Sequence, residues 1–333
     1  MSSNLTVGSK FGRSVSAFKA VAVLGLGAAM LGAHYRERHA SLTQVAIPEV
    51  LPTPILDGVG VASASHNEWT AARTFRLVSF DHWGRFAALD SAERMTVLKL
   101  NRVDLAHAKR KNIVVPDSIL PELEYSPLPS QVRELAEIPK FIAVSRRVQA
   151  FGAYEYGKLV RWGPTSTGKA STPTDSGLFF TNWKSRTAIS TDDPSWILNW
   201  YFNIIALKGV AFHQYELPGK PASHGCVRLL EEDAQWIYGW ASQWVPGRGS
   251  NVKVYGTPVL IFGDYGYGQP APWLGLVTGD SSATISSTEL GEALSPNLAL
   301  VTERAGANDD SERWQAFLTM ATPSIQSGIS SGK

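Results

Sequence analysis

Cysteine is nearly missing from this sequence: of 333 residues, Cys226 is the only one. An intramolecular disulfide is thereby excluded, and so is any zinc site of the Cys-x-x-Cys type. Charge of one sign is also missing, with 31 Lys and Arg against 29 Asp and Glu and a net charge of +2. That balance provides no basic stripe of the kind that binds nucleic acid by counterion release, so no nucleic-acid partner is expected. Long apolar runs are scarce as well. The stretch Ala20 to Ala33 falls short of the roughly 18 to 20 residues that span a bilayer comfortably.

What precedes that stretch gives it a meaning. Lys10, Arg13 and Lys19 followed by an apolar segment have the order of a secretory signal. A cleaved peptide and an uncleaved anchor both fit residues 1–35. Either one predicts that the bulk of the chain is exported to the periplasm or cell envelope, touching membrane only through this segment. In an oxidising compartment a lone thiol is a hazard unless it does chemistry, which makes Cys226 the first candidate for a catalytic residue. The bland alternative is a small buried hydrophobe.

With 44% hydrophobic and 18% charged residues the chain has enough apolar material for a core. Residues 36–73, punctuated by Pro48, Pro52, Pro54 and Gly58, read as a linker. A small α+β module is expected over 74–130, with a strand at Phe75 to Val78 and a helix opening at Asp90, where Glu93 completes a capping box. Its segments Leu98 to Asp104 and Asn112 to Pro116 resemble, faintly, LysM wall-binding modules. From 140 to 263 β patterns dominate: Phe141 to Val144, Arg147 to Tyr154, Lys158 to Pro164, Gly177 to Phe180, Gly209 to His213, Asn251 to Tyr255 and Pro258 to Phe262. One helix from Leu230 to Trp244 interrupts them, with Glu231, Glu232 and Asp233 at the positive end of its dipole. Trp236, Trp240 and Trp244 recur on one face and are expected to pack on the sheet. Residues 264–333, rich in Gly, Pro, Ser and Thr, read as a flexible tail with a helix near Asp310 to Met320.

The chemistry concentrates in Ser223-His224-Gly225-Cys226-Val227-Arg228-Leu229, with His213 upstream at the end of an apolar strand. A thiol attacks as its thiolate, and at an ordinary pKa near 8.5 it needs a base to take its proton. His213 and His224 both qualify. Gly225 lets the backbone approach a reacting carbonyl, and the Gly225 and Cys226 amides are placed to stabilise an oxyanion. Zinc held by His213, His224 and Cys226 is the competing arrangement. It offers three ligands and lacks any supporting His-Glu-x-x-His pattern, so no metal or organic cofactor is expected.

An upstream His followed by Ser-His-Gly-Cys, a hydrophobe and Arg resembles the signature of YkuD-type L,D-transpeptidases. Ser145 to Val160 is similar to that family's opening hairpin, and Ser166-Thr167-Gly168-Lys169 with Thr172-Pro173-Thr174 and Gly177 to its next turn. The resemblance implies a mainly β catalytic domain, a sandwich or barrel with one or two helices. It implies a cysteine acyltransferase acting on peptidoglycan stem peptides. Cys226 would attack the carbonyl of a diaminopimelate, release D-alanine through a thioester, and pass the acyl group to an amine to form a three-to-three crosslink. His213 would be the base, Gly225 and the Cys226 amide the oxyanion hole, Arg228 the substrate carboxylate anchor, and Ser223 and His224 would position the site. An L,D-carboxypeptidase passing the acyl group to water, or an enzyme attaching it to a protein amine, would share this site. A silent wall-binding protein is the reading from another class. The aromatic run Trp183, Trp196, Trp200, Tyr201 and Phe202 suits either a substrate groove or core packing.

Overall fold

The computed structural model describes residues 73–79, 86–109, 112–248 and 251–305. The expected signal or anchor, all but the last residue of the expected linker, and the helix expected near Asp310 to Met320 lie outside these residues. The chain divides into two units, Met1–Leu51 and Pro52–Lys333, and every described residue belongs to the second. Among the described residues no helix is long and apolar enough to cross a membrane.

The fold is mainly β. Its elements run β1 (Phe75–Val78), α1 (Ser91–Leu100), β2 (Ile113–Pro116), β3 (Phe141–Ser145), β4 (Ala150–Glu155), β5 (Lys158–Ser166), β6 (Gly177–Phe180), β7 (Lys184–Ile189), β8 (Ile197–Ile205), β9 (Val210–Gln214), β10 (Val227–Leu229), α2 (Glu231–Trp240), β11 (Val245–Pro246), β12 (Val252–Val254), β13 (Pro258–Phe262) and α3 (Ser287–Leu294). Nine strands form one sheet in the order β6-β13-β3-β4-β5-β10-β9-β8-β7. Two of its pairings, β13 with β3 and β10 with β9, are parallel; the others are antiparallel.

Strand periodicity explains how this sheet is buried. Successive side chains point to opposite faces. On β3, Phe141 and Ala143 enter one apolar cluster while Ile142 and Val144 enter another. On β13, Leu260 and Phe262 alternate in the same way with Val259 and Ile261. The second cluster also receives Phe202, Phe212, Val227 and Leu229, together with Ala234, Ile237 and Ala241 from α2 and its end. The sheet therefore curls around this core, with α2 closing it. Strands buried on both faces read as continuous apolar runs, which is how β3 and β13 appear in the sequence.

Three expectations change against this fold. The stretch after 263 is folded through Ala305: Pro272–Val277, α3 and the helical residues 298–305 bury Trp273, Leu276, Leu290, Leu294, Val301 and Ala305 against the other face of the sheet. Its Gly, Pro and Ser content hid apolar positions spaced widely enough to be covered by short helical turns. The N-terminal module does not keep its core to itself, because Phe75, Leu100 and Val114 join that same cluster. It consists of α1 and the antiparallel pair β1–β2, and α1 carries the expected capping box, with Asp90 accepting from the Glu93 amide at 2.8 Å and Glu93 from the Asp90 amide at 2.9 Å. Finally, α2 ends at Trp240, which leaves Trp244 beyond it, and its buried face is Asp233, Ala234 and Ile237 rather than the tryptophan stripe. Trp236 and Trp240, stacked on each other 4.8 Å apart, do pack half-buried against the sheet's core, as expected.

Candidate active site

Strand β10 is only three residues long and lies in the middle of the sheet, antiparallel to β5 and parallel to β9. Val227 is level with Phe212, and Arg228 with His213. Since Val227 and Phe212 both face the core, Cys226, Arg228, Ala211 and His213 share the opposite face. This register brings a thiol and an imidazole 13 positions apart in sequence onto neighbouring strands, at the floor of one cavity of about 430 Å³.

His213 is buried, and its Nδ1 lies 3.0 Å from the Gln214 carbonyl oxygen. A carbonyl only accepts, so Nδ1 carries the proton and the neutral ring keeps Nε2 free to take one. Burial pushes the imidazole down to about 4, against the backbone hydrogen bond that raises it, with Arg228 lowering it further. Burial likewise pushes the Cys226 thiol up, and Asp192 adds to this, while a backbone hydrogen bond from Ala211 and the charge of Arg228 oppose it. At rest the pair is therefore a neutral thiol and a neutral imidazole. The half-buried thiol lies 3.8 Å from the Gly209 carbonyl oxygen.

The loop before β10 is held from within and from below. Ser223 is buried; its Oγ accepts from the Gly225 amide at 3.0 Å and donates to the Cys226 carbonyl at 2.6 Å. Gly225 has φ +122°, a region side chains rarely adopt, and a Cβ there would meet nothing closer than Val210 Cγ2 at 3.7 Å. Backbone conformation, not crowding, selects glycine at that position. The Thr167 to Thr174 turn forms the cradle beneath. The Ser223 amide donates to the Thr167 carbonyl at 3.0 Å, the Lys169 amide to the Ser223 carbonyl at 2.9 Å, and Thr174 Oγ1 to the Gly225 carbonyl at 2.8 Å. Gly168 runs so close to this turn that a Cβ would sit 2.1 Å from the Thr172 carbonyl oxygen.

The residues expected for the site converge, with different surroundings. His213, Ser223, His224, Cys226 and Arg228 all line the cavity. The Gly225 amide gives its hydrogen bond to Ser223, whose hydroxyl gives its own to the Cys226 carbonyl. His224 is exposed and faces outward: Lys169 Nζ donates to its Nε2 at 2.6 Å, Asp192 Oδ2 lies 3.6 Å from its Nδ1, and Trp196 packs on its ring at 4.9 Å. Arg228 lies over the Tyr215 ring at 4.5 Å and makes no ion pair among the described residues. The aromatic run divides, with Trp183, Trp196 and Tyr201 lining the cavity and Phe202 in the core. Asp192 and Lys169 were not singled out for the site from the sequence. An acidic residue in a polar hairpin loop, and a lysine after a turn glycine, carry no periodic signal.

Over residues 139–261 the chain matches the family model of YkuD, the L,D-transpeptidase catalytic domain. The YkuD segment spans β3 to all but the last residue of β13, and so holds both Cys226 and His213. No curated protein matches the chain. Among solved structures it is similar to an L,D-transpeptidase from Mycobacterium smegmatis, with 21% identity, a TM-score of 0.31, and 38% of this chain and 59% of that one covered. An L,D-transpeptidase from Stackebrandtia nassauensis gives 24% identity and a TM-score of 0.32, covering 41% of this chain and 59% of that one. One from Xylanimonas cellulosilytica gives 22% and 0.34, covering 50% and 78%. The chain spans 59% of the length of each of the first two.

Proposed function

We propose that this protein is an exported peptidoglycan L,D-transpeptidase that uses Cys226 as nucleophile and His213 as base. The observation that carries this reading is the register of β9 and β10, which sets the thiol and an imidazole with a free Nε2 on one face of a cavity floor. Because both groups rest neutral, proton transfer to Nε2 accompanies attack by sulfur on the diaminopimelate carbonyl of a tetrapeptide stem. The oxyanion forms against the Cys226 amide, since Gly225 donates to Ser223 instead. Collapse returns the proton from His213 to the leaving nitrogen, D-alanine departs, and a thioester remains. An acceptor amine then attacks the thioester, His213 takes its proton, and the proton passes to sulfur as the thiol leaves. Arg228, which makes no ion pair among the described residues, binds a substrate carboxylate. His224 and Ser223 position the loop that carries the nucleophile.

The test is mass spectrometry of purified protein lacking residues through Ala33, incubated with disaccharide-tetrapeptide, beside Cys226→Ala. Loss of D-alanine with crosslinked dimers, absent in the variant, is the expected result. Loss of D-alanine without dimers would assign an L,D-carboxypeptidase. No reaction, together with no carbapenem adduct on Cys226, would overturn acyl transfer in favour of a wall-binding role.

A further inference from the structure

The cavity that holds Cys226 is lined by charges of opposite sign, Arg228 and Asp192. Arg228 follows Cys226 by two residues on the floor. Asp192 comes from the loop joining β7 to β8 and is also part of the wall. That loop is set by its own hydrogen bonds: Ser190 Oγ accepts from the Asp192 amide at 3.1 Å, and Asp193 Oδ1 accepts from the Ser195 amide at 2.9 Å. Trp196, at its end, rests on the His224 ring. The Asp192 side chain is 59% exposed, and its one neighbour at ion-pair range among the described residues is the His224 ring, at 3.6 Å, beyond hydrogen-bond length. His224 already accepts from Lys169 on its other nitrogen.

A carboxylate in this place works against the chemistry of the site, because its charge opposes formation of the thiolate. Groups that impair a site in the free protein are commonly those a ligand completes. An ammonium bound at Asp192 would cancel its charge and ease ionisation of Cys226. Arg228, meanwhile, makes no ion pair among the described residues and can offer its fork to a carboxylate.

Resting on the acyl-transfer reading above, we infer that Asp192 is a substrate ammonium anchor, which with the carboxylate anchor Arg228 makes the pocket selective for a zwitterionic diamino-acid terminus. Stems whose side-chain amine is blocked, or that lack the adjacent carboxylate, would be discriminated against.

The experiment separates this inference from the reading beneath it by measuring binding without turnover. The ligand L-alanyl-γ-D-glutamyl-meso-diaminopimelate is titrated calorimetrically into Cys226→Ala protein, then its form acetylated on the diaminopimelate side-chain amine. Charge-assisted hydrogen bonds of this kind correspond to about a 10- to 100-fold change in Kd. Asp192→Asn in the same background is expected to weaken the free-amine ligand by that factor, and acetylation to do so in the parent. The two losses together should not exceed either alone, and Asp192→Glu should recover most of the affinity. Equal loss on both ligands, no loss at all, or no binding of either ligand overturns the inference. Wild-type protein that binds the ligand through Asp192 yet never releases D-alanine from the tetrapeptide would sink the acyl-transfer reading and leave the anchor standing.

Discussion

Ser223 Oγ lies 2.6 Å from the Cys226 carbonyl oxygen and 3.0 Å from the Gly225 amide, tying both ends of the short loop that presents Cys226. A hydroxyl both donates and accepts, and no aliphatic side chain replaces it. Ser223→Ala strands the buried Gly225 N–H and takes the donor from the part-buried Cys226 carbonyl, at about 1 to 3 kcal/mol for a buried group. The expected outcome is a lower midpoint in chemical denaturation and at least a tenfold slower acylation of Cys226 by a carbapenem. A variant as stable and as reactive as wild type would show that the loop holds itself.

Gly168→Ala is expected to be worse. Its Cβ would fall 2.1 Å from the Thr172 carbonyl oxygen and 2.6 Å from the Thr174 amide, both backbone, so the cradle under the Ser223–Cys226 loop must open. Backbone cannot swing aside as a side chain does, and a loss of about 3 kcal/mol or more is anticipated. Thermal unfolding and the yield of Cys226 adduct should fall together.

Acid should act on the base before it acts on the nucleophile. His213 has its pKa depressed from an ordinary 6.5 to about 4 by burial. The unfolded chain therefore binds the extra proton first, and between those values stability rises with pH. Nothing is lost above about 6.5; the loss grows as pH falls and levels off, on the order of 3 kcal/mol, once pH is below 4. His213→Gln should flatten this part of the profile of unfolding free energy. In the same variant acylation should drop by about 100-fold or more. An acid limb of the acylation rate near pH 6.5, instead of near 4, would contradict a buried neutral base.

Much of this was legible beforehand because the signals were local. β3 and β13 are apolar runs, the α1 capping box is a four-residue pattern, and Cys226 is alone. The strands β7 and β8 were not legible. Their exposed and half-buried residues, such as Lys184, Arg186 and Asn199, break the alternation expected of a strand, and Trp200 sits at φ +56° in a bulge. The choice between His213 and His224 was open as well. It depends on whether each ring nitrogen meets a carbonyl or a lysine, which spacing along the chain does not encode.

The folded C-terminal segment makes its own prediction. Trp273 is buried with Leu276, Leu290 and Leu294 in the cluster that covers the outer face of β3, β4 and β13. Trp273→Ala should destabilise the protein by about 3 to 5 kcal/mol, read from denaturation midpoints, although the residue lies outside the YkuD segment. A change below 1 kcal/mol would mean that this segment is dispensable.

Arg102, fully buried at φ +56°, gives its guanidinium to the Val148 carbonyl at 2.9 Å and to the Lys99 and Leu100 carbonyls at 2.7 and 2.9 Å, with Trp162 at 5.6 Å and Trp273 at 5.2 Å. One side chain thus joins the end of α1, the β3–β4 turn, β5 and the C-terminal turns, and two of those four lie outside residues 139–261. Excised at 139–261, the segment that matches the family model would keep Cys226 and His213 but lose this clamp. For this chain, the unit held together by packing is larger than the segment that carries the Cys226 motif.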